Sequence, residues 1–241
     1  MFPKFAPVHL FYAPNITANT YQLSEPESKH AIRVLRLTEG STLTLMDGRG
    51  TFHHCEIIAA HPKRCTVSIT HTESFEPRPY SLHIGIAPTK NIARLEWFLE
   101  KATEIGIEAI TPIICQRSER QQLKAERLEK VILSAAKQSQ SAWLPILNPP
   151  QTYNNFIAQP LDGERLIAHC LSDGSRTELS SAYKRGENVV ILIGPEGDFT
   201  PEEIEAAQAA NFQPVSLGQT RLRTETAGMV ACHSIALLNA L

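Results

Sequence analysis

Strand-like and helix-like segments alternate along the chain after residue 80, and this alternation limits the fold more than any other feature. The segments typical of buried strands are 82–87, 109–115, 166–170, 189–193 and 214–217. The segments with helical spacing are 92–105, 125–139, a helix that opens at 200–203 with a capping box, and 224–241. Such alternation predicts a parallel α/β sheet with helices on both faces.

The first 75 residues follow a different pattern, in which short strands are separated by tight turns. The predicted strands are 8–12, 43–46, 51–59 and 65–71. One short helix interrupts them at 29–37, and Ser24 and Glu27 form a capping box before it. The sequence predicts a small β-barrel-like domain over 1–75. A stiff proline-rich linker at 75–80 leads into a second domain over 76–241.

The composition excludes several classes of protein. The 241 residues are 42% hydrophobic and 20% charged, which argues against disorder, and no apolar run approaches the roughly 18 residues of a membrane span. The first residues lack the pattern of a signal peptide. The five cysteines are scattered and never form a CxxC pair, which argues against a disulfide framework and a structural zinc site. We expect a cytoplasmic protein with no metal and no membrane association.

Charge is distributed unevenly along the chain. The net charge is only −2, but residues 1–150 hold 17 basic against 14 acidic side chains, and residues 151–241 hold 6 against 11. A polyanion such as RNA is expected to prefer the first part. Ordinary variation in composition along a chain explains the same numbers, so the charge distribution alone does not indicate RNA binding.

The loop at 191–203 follows a predicted strand and opens a helix. Gly194 and Gly197 allow the backbone to approach a ligand closely, but no Lys-Ser or Lys-Thr pair follows, as a P-loop requires. Glu196 and Asp198 suit a ligand with hydroxyls, amines or positive charge. Alternatively, Asp198 and Glu203 only complement the helix dipole.

Two further loops follow predicted strands. The segment 217–227 places Arg221 and Arg223 at the start of a helix, where positive charge is unfavourable to the helix dipole, and this indicates that the arginines serve a ligand. The third loop is 171–174. In a parallel sheet such loops converge beyond the carboxyl ends of the strands, where ligands bind.

Four segments together resemble one family. IGPEGDF (193–199), LGQTRLRTETA (217–227), KATEIGIEAITPIICQRS (101–118) and KHAIRVLRLTEG (29–40) are similar to the RsmE family of small-subunit ribosomal RNA methyltransferases. The resemblance implies a PUA-like RNA-binding barrel joined to a SPOUT-type domain with a C-terminal trefoil knot, acting as a homodimer. It implies that S-adenosyl-L-methionine methylates uridine N3 in 16S ribosomal RNA of the small ribosomal subunit.

The resemblance also assigns site residues. Those expected to bind the cofactor are Leu171, Ile193, Gly194, Pro195, Glu196, Gly197, Leu217, Gly218, Leu222 and Thr224. Those expected to bind RNA are Lys29, Arg33, Arg36, Lys90 and Arg221. Since Arg33 and Arg36 are three residues apart, we expect them to share a helix face.

Methylation of uracil requires loss of the N3 proton, so the site needs a general base or a cation that stabilises the ring anion. Glu225 is the candidate base. Arg117 and Arg223 are candidates for stabilising the anion or binding phosphate. Alternatively, Glu225 only caps its helix and Arg36 only forms a structural ion pair.

The sequence departs from the family pattern at two places. Asp198 stands where a second glycine is usual, and the segment 140–143 lacks the arginine usual before the proline, here Pro145. Periodicity alone predicts an unknotted doubly wound sheet, and only the resemblance implies the knot. Residues 227–241 carry no charged side chain, which predicts a helix buried on most sides or in a dimer, with His233 in the core.

Two other classes remain open from sequence. A nicotinamide-dependent oxidoreductase needs a glycine-rich turn after its first α/β strand, where this chain has IAPTKN. A non-catalytic RNA-binding protein keeps the barrel without needing three cofactor loops. Within the methyltransferase hypothesis, a valine at Gly194 is expected to enter the ligand space and leave the fold intact.

Overall fold

The computed structural model describes residues 9–171 and 176–241, which form two compact units. One unit holds the chain up to Pro77 together with Ala136–Leu144, and the other holds Arg78–Ala135 and Pro145–Leu241. The boundary between Pro77 and Arg78 falls inside the proline-rich segment 75–80. The inclusion of Ala136–Leu144 in the N-terminal unit has no counterpart in the sequence pattern.

Five strands form the sheet of the N-terminal unit. They are β1 (Leu10–Tyr12), β2 (Thr20–Gln22), β3 (Thr42–Met46), β4 (Thr51–Ala59) and β5 (Thr66–Ser74). Their order is β1-β3-β4-β5-β2, with β1 and β3 parallel and the other pairs antiparallel. Phe11, Leu45 and Val67 are buried in its core. The predicted barrel-like β domain is confirmed, with β2 as an additional strand. Residue 8 of the first predicted strand lies outside the described residues.

The helix of this unit is only partly as predicted. α1 spans Glu25–Lys29 and continues as a π-helical turn over His30–Val34. The Ser24 side chain accepts a hydrogen bond from the Glu27 N–H at 3.4 Å. The Glu27 carboxylate forms an ion pair with Lys137 instead of returning to the helix start. Among the described contacts, therefore, only half of the predicted capping box forms.

Arg36 does not share a helix face with Arg33, so that prediction is wrong. The helical turn ends at Val34, and Arg36 has a φ of +58°, which turns the chain out of the helix. The Leu37 N–H then donates to the Ala31 carbonyl at 3.0 Å and closes the helix end. Because regular helical geometry stops before Arg36, the three-residue spacing no longer places the two side chains together.

Residues Ala136–Leu144 pack on a turn of the N-terminal sheet. The Gly50 N–H donates to the Ala142 carbonyl at 3.0 Å, and the Leu144 N–H donates to the Gly48 carbonyl at 3.1 Å. The Trp143 ring lies so close to Gly50 that a Cβ there would approach it to 2.3 Å. The segment that departs from the family pattern thus serves as a structural part of this unit.

The C-terminal unit contains a parallel sheet of eight strands. They are β6 (Leu82–Ile86), β7 (Ala109–Ile114), β8 (Ile146–Leu147), β9 (Gln151–Thr152), β10 (Glu164–Ala168), β11 (Thr177–Glu178), β12 (Val189–Ile193) and β13 (Gln213–Ser216). The order is β11-β13-β10-β12-β6-β7-β8, and β9 pairs with β7. The predicted parallel α/β fold is confirmed. The sequence missed β8, β9 and β11 because two residues are too few to show a period.

Six further helices lie within the described residues. They are α2 (Ile92–Ile105), α3 (Ala125–Ser139), α4 (Tyr153–Ile157), α5 (Leu179–Ala182), α6 (Pro201–Ala209) and α7 (Thr224–Ala240). α6 begins with the predicted capping box: Thr200 Oγ1 accepts from the Glu203 N–H, and Glu203 Oε2 accepts from the Thr200 N–H. Within residues 9–171 and 176–241, no helix has both the length and the apolar character of a membrane span.

One face of α7 is buried against α2 and the sheet. Gly228, Ala231 and Ile235 lie on this face, and a Cβ at Gly228 would come within 2.7 Å of the Phe98 ring. His233 is exposed, so the prediction of a core histidine is wrong for the single chain. The helical period explains this, because position 233 lies opposite the stripe formed by 228, 231 and 235.

Candidate functional site

The carboxyl ends of three neighbouring strands form one edge of the C-terminal sheet. β10 lies between β12 and β13, and Ala168 is in register with Ile193 on one side and Val215 on the other. The loops that follow these strands enclose a cavity of about 240 Å³, here called the strand-end cavity. Its lining residues are Ala168, Cys170, Ile193, Gly194, Pro195, Glu196, Asp198, Arg221, Leu222, Arg223, Thr224 and Ala227.

The strand-end cavity brings together most of the residues predicted to bind a cofactor. Those that line it are Ile193, Gly194, Pro195, Glu196, Leu222 and Thr224. Leu171, Gly197 and Leu217 are not among the lining residues, and 172–174 lie outside the described residues. The sequence missed Ala168 and Ala227. Ala227 lies three residues after Thr224 and therefore on the same helix face. This spacing is the sequence signal that could have identified Ala227 as a cavity residue.

The segment 193–199, here called the first cavity loop, is held by side chains from other elements. The Thr224 hydroxyl donates to the Gly194 carbonyl at 2.9 Å. Arg117 Nη1 donates to the carbonyls of Gly197 at 2.7 Å and Phe199 at 3.3 Å. Arg117, predicted to contact uracil or phosphate, therefore uses its guanidinium to hold this loop.

The glycines of the first cavity loop lie close to other parts of the protein. A Cβ at Gly194 would lie 3.1 Å from the buried Phe199 ring and 3.2 Å from the Phe199 backbone nitrogen. A Cβ at Gly197 would lie 3.2 Å from Arg117 Cδ. Valine at Gly194 would therefore require the Phe199 side chain to shift by a few tenths of an ångström, and the expectation that it leaves the fold intact stays a prediction.

Asp198 connects the first cavity loop to the end of β10. Its Oδ2 accepts a hydrogen bond from the Cys170 N–H at 2.8 Å, and its Oδ1 accepts from the Phe199 N–H at 2.9 Å. Its φ is +65°, in the left-handed region that favours glycine and tolerates aspartate. This backbone conformation explains how an aspartate occupies a position where the family usually has glycine.

The second carboxylate in the cavity wall is that of Glu196. Its Oε1 accepts a hydrogen bond from the Lys90 N–H at 3.0 Å. The Lys90 ammonium pairs with Glu119 at 2.7 Å, and this hydrogen bond raises the pKa of Lys90. Lys90, predicted to bind RNA, is exposed, and its backbone also helps to place a cavity residue.

Cys170 also lines the cavity, and a deprotonated thiol there would attack an electrophilic ligand. Burial raises the pKa of the Cys170 thiol, and the Asp198 carboxylate raises it further, against the opposing charges of Arg221 and Arg176. The thiol is therefore neutral near pH 7 and a poor nucleophile.

Glu225, the predicted general base, is not among the residues that line the strand-end cavity. It is only 7% exposed, and its Oε1 lies 3.7 Å from Arg94 Nε. Its Oε2 is buried without a hydrogen-bond partner among the described residues. Arg223, the other predicted catalytic residue on this segment, does line the cavity.

A second cavity of about 450 Å³ lies beside the first and shares Cys170 and Arg221 with it. We call it the arginine cavity. Its lining residues are Cys170, Arg176, Glu178, Ser216, Gly218, Gln219, Thr220 and Arg221. Gly218, predicted to bind the cofactor, lies here. Arg176 was not identified from the sequence, and its Nη1 donates to the His169 carbonyl at 2.9 Å.

The predicted RNA-binding residues of the N-terminal unit are all exposed. Lys29, Arg33 and Arg36 lie on or just after its helix, and none forms an ion pair with another described residue. They are available to a polyanion, whereas the alternative that Arg36 forms a structural ion pair has no support in these contacts.

The lining of the strand-end cavity suits a ligand that carries hydroxyl and amino groups and charges of both signs, because it holds two carboxylates and the guanidinium groups of Arg221 and Arg223. Two carboxylates and backbone carbonyls at the strand ends accept hydrogen bonds, while Ala168, Ile193 and Leu222 supply apolar surface. S-adenosylmethionine has this combination of groups. Over the described ranges, no cluster of three or more acidic, histidine or cysteine side chains could hold a metal.

Comparison with known proteins places the chain in a class and then in a family. Residues 76–236 match the RNA methyltransferase domain family, and residues 23–70 match the PUA domain of RNA methyltransferases. Together with the strand-end cavity, these matches define an RNA methyltransferase. A ribosomal RNA small subunit methyltransferase E from a Synechocystis species is 31% identical, covering 96% of this chain and 77% of that protein.

Solved structures agree with this assignment. A probable rRNA methyltransferase from Porphyromonas gingivalis is 45% identical, with a TM-score of 0.89 over 97% of this chain and 99% of that one. The ribosomal RNA small subunit methyltransferase E of Neisseria gonorrhoeae, bound to S-adenosylmethionine, is 27% identical, with a TM-score of 0.85 over 96% and 98% of the two chains. This chain belongs to the ribosomal RNA small subunit methyltransferase E family, so the predicted family is confirmed.

Proposed function

We propose that the protein transfers a methyl group from S-adenosyl-L-methionine to N3 of a uridine in 16S ribosomal RNA of the small ribosomal subunit. The observation that carries this proposal is the strand-end cavity, where the loops after three parallel strands meet. The family and the ligand of the gonococcal relative support it.

In this proposal the strand-end cavity holds the cofactor, which supplies a methyl group on a sulfonium. Glu196 would accept hydrogen bonds from its hydroxyl and amino groups, and Asp198 would add a negative charge to the cavity wall. The first cavity loop is held by Arg117 and Thr224, so its backbone groups are in position before the ligand arrives. Orientation of this kind is the main contribution a protein makes when the cofactor carries the reactive group.

The chain must also favour the deprotonated uracil. Arg223 and Arg221 lie in the cavity wall, and their guanidinium groups can stabilise negative charge that develops on the ring. Glu225 lies outside the lining and faces Arg94. We therefore assign the larger role to the arginines and keep the Glu225 general base as a hypothesis to be tested.

RNA binding is divided between several basic groups. In the N-terminal unit, Lys29, Arg33 and Arg36 offer exposed charge to the phosphate backbone. In the C-terminal unit, Arg176 and Arg221 of the arginine cavity suit a phosphate near the target nucleotide. The N3 edge of uridine is used in base pairing, so the target must be unpaired or flipped out of a helix.

The remaining expectations belong to this proposal. Residues 1–75 act as the RNA-binding domain and 76–241 as the knotted methyltransferase domain. Leu237 is 48% exposed beside His233 on the part of α7 after residue 226, which carries no charged side chain, and this surface suits a homodimer. A protein that modifies the small ribosomal subunit works in the cytoplasm.

The test is transfer of labelled methyl groups from S-adenosylmethionine to small subunits that lack the modification, followed by mass spectrometry of the nucleosides. We expect 3-methyluridine with wild-type protein. Ala227→Trp fills the strand-end cavity and should lose cofactor binding and transfer, whereas Ala93→Trp, on the exposed start of α2, should retain both. RNA binding without methylation would contradict the proposal and favour a non-catalytic RNA-binding protein. A different methylated nucleoside would contradict the uridine assignment.

A further inference from the structure

Asp198 is the more rigidly held of the two carboxylates in the strand-end cavity. Both of its oxygens accept backbone N–H bonds, one from Cys170 across the loop and one from Phe199. It is half-buried, whereas Glu196 is exposed at the end of a longer side chain. A charge that cannot move away and is partly shielded from water acts on a ligand more strongly than a solvated one.

The cofactor and its product differ in charge as well as in one methyl group. S-adenosylmethionine carries a positively charged sulfonium, and transfer of the methyl group leaves S-adenosylhomocysteine, in which the sulfur is a neutral thioether. A fixed negative charge beside the site therefore stabilises the first ligand more than the second. Hydrogen bonds from backbone groups and contacts with apolar side chains stabilise the two ligands almost equally.

We propose that Asp198 makes the strand-end cavity prefer the cationic S-adenosylmethionine over its neutral product. This inference rests on the proposed function. The opposing charges in the lining belong to Arg221 and Arg223, which are exposed and screened by solvent. Asp198 is thus a specificity-determining residue in addition to its role in holding the loop.

The backbone at position 198 offers two independent ways to remove the charge. At φ +65°, asparagine and glycine are the residues that tolerate the conformation best. Asp198→Asn keeps one hydrogen-bond acceptor and most of the shape, whereas Asp198→Gly removes the side chain. Asp198→Asn loses one of the two backbone hydrogen bonds and Asp198→Gly loses both, so the variants disturb the loop to different degrees while removing the same charge.

The experiment is calorimetric titration of the purified full-length protein with S-adenosylmethionine and, separately, with S-adenosylhomocysteine. For both variants we expect affinity for S-adenosylmethionine to fall about tenfold and affinity for S-adenosylhomocysteine to change by less than about threefold. The matched control is Glu205→Gln, which removes an exposed carboxylate of α6 away from the cavity and should leave both affinities unchanged.

Two results would overturn the inference. Equal loss of affinity for both ligands would show that Asp198 acts only as a structural link between the loops. Unchanged affinities in both variants would show that its charge does not reach the ligand. Failure of wild-type protein to bind either ligand would instead remove the proposed function, so the two failures are distinguishable.

Discussion

The two loops that face each other across the strand-end cavity are built in opposite ways. In the first cavity loop (193–199), carbonyls and side chains bond to Thr224, Arg117, Lys90 and Cys170, which come from four other parts of the chain. The segment 216–223, here called the second cavity loop, has mainly local bonds, such as those between the Ser216 hydroxyl and Gly218.

The two cavity loops also differ in the solvent exposure of their residues. Phe199 and Gly194 are buried, whereas residues 218–221 are exposed. In the part of the chain that the structure describes, the side chains of 219–222 take part in no hydrogen bond or ion pair. We infer that the first cavity loop is preorganised for the cofactor and that the second cavity loop becomes ordered around its ligands.

The largest effect is expected in the second cavity loop, whose Arg223 lines the strand-end cavity and is proposed to stabilise the uracil anion. Arg223→Ala should lower single-turnover methylation at saturating S-adenosylmethionine by about 10²–10³-fold, because a cationic donor to a developing anion is lost. Calorimetry should show cofactor affinity within about threefold of wild type. A variant with wild-type turnover would contradict a role for Arg223 at the uracil.

A smaller effect is expected when the first cavity loop is loosened. Arg117→Ala removes the hydrogen bonds to the Gly197 and Phe199 carbonyls, so the loop must be ordered by the ligand. Affinity for S-adenosylmethionine should fall about tenfold, in line with the loss of one or two charge-assisted bonds. Arg185→Ala, at an exposed arginine of the same unit, is the control. Equal affinities for Arg117→Ala and wild type would show that the loop does not need this support.

The arginine cavity should contribute to RNA binding and not to cofactor binding. Arg176→Ala should weaken RNA affinity several-fold at low salt and reduce the dependence of log Kd on log salt by about one unit, as expected for one lost phosphate contact. Fluorescence titrations of a small-subunit RNA fragment over a range of salt concentrations measure both quantities. An unchanged salt slope would remove Arg176 from the RNA interface.

The smallest effect on turnover is expected for Glu225→Gln. Glu225 is buried behind the cavity wall beside Arg94, so the substitution should change turnover by less than about tenfold while lowering the melting temperature. Single-turnover methylation and thermal melts on the same preparation measure both. A loss of about 10²–10⁴-fold in turnover with unchanged stability would restore Glu225 as the general base.

Local sequence patterns predict the helices and strands, whereas contacts between residues far apart in the sequence determine the geometry of the site. The bounds of α2 and α3 agree with the sequence pattern, because helical spacing is visible within a few residues of sequence. The Arg117 guanidinium, in contrast, binds carbonyls about 80 residues further along the chain, and no local pattern encodes that pairing. The direction of Glu225 depends on how α7 is rotated against α2, which spacing alone does not define.

Gly194 and Asp198 illustrate this difference between local sequence patterns and distant contacts. Gly194 lines the strand-end cavity and Gly197 does not, and the sequence could not show that Gly194 faces the buried Phe199 ring. The unusual Asp198 was visible in the sequence, whereas its bond to the Cys170 backbone depends on β10 and β12 being neighbours in the sheet.

Hydrogen–deuterium exchange with and without saturating S-adenosylmethionine tests the central claim most directly, because it reports on both loops in one experiment. In the free protein, peptides covering 193–199 should exchange slowly and peptides covering 216–223 quickly. With the cofactor bound, exchange in 216–223 should slow strongly while 193–199 changes little. Unchanged exchange in 216–223, with protection in another part of the chain, would contradict the claim that the strand-end cavity is the cofactor site.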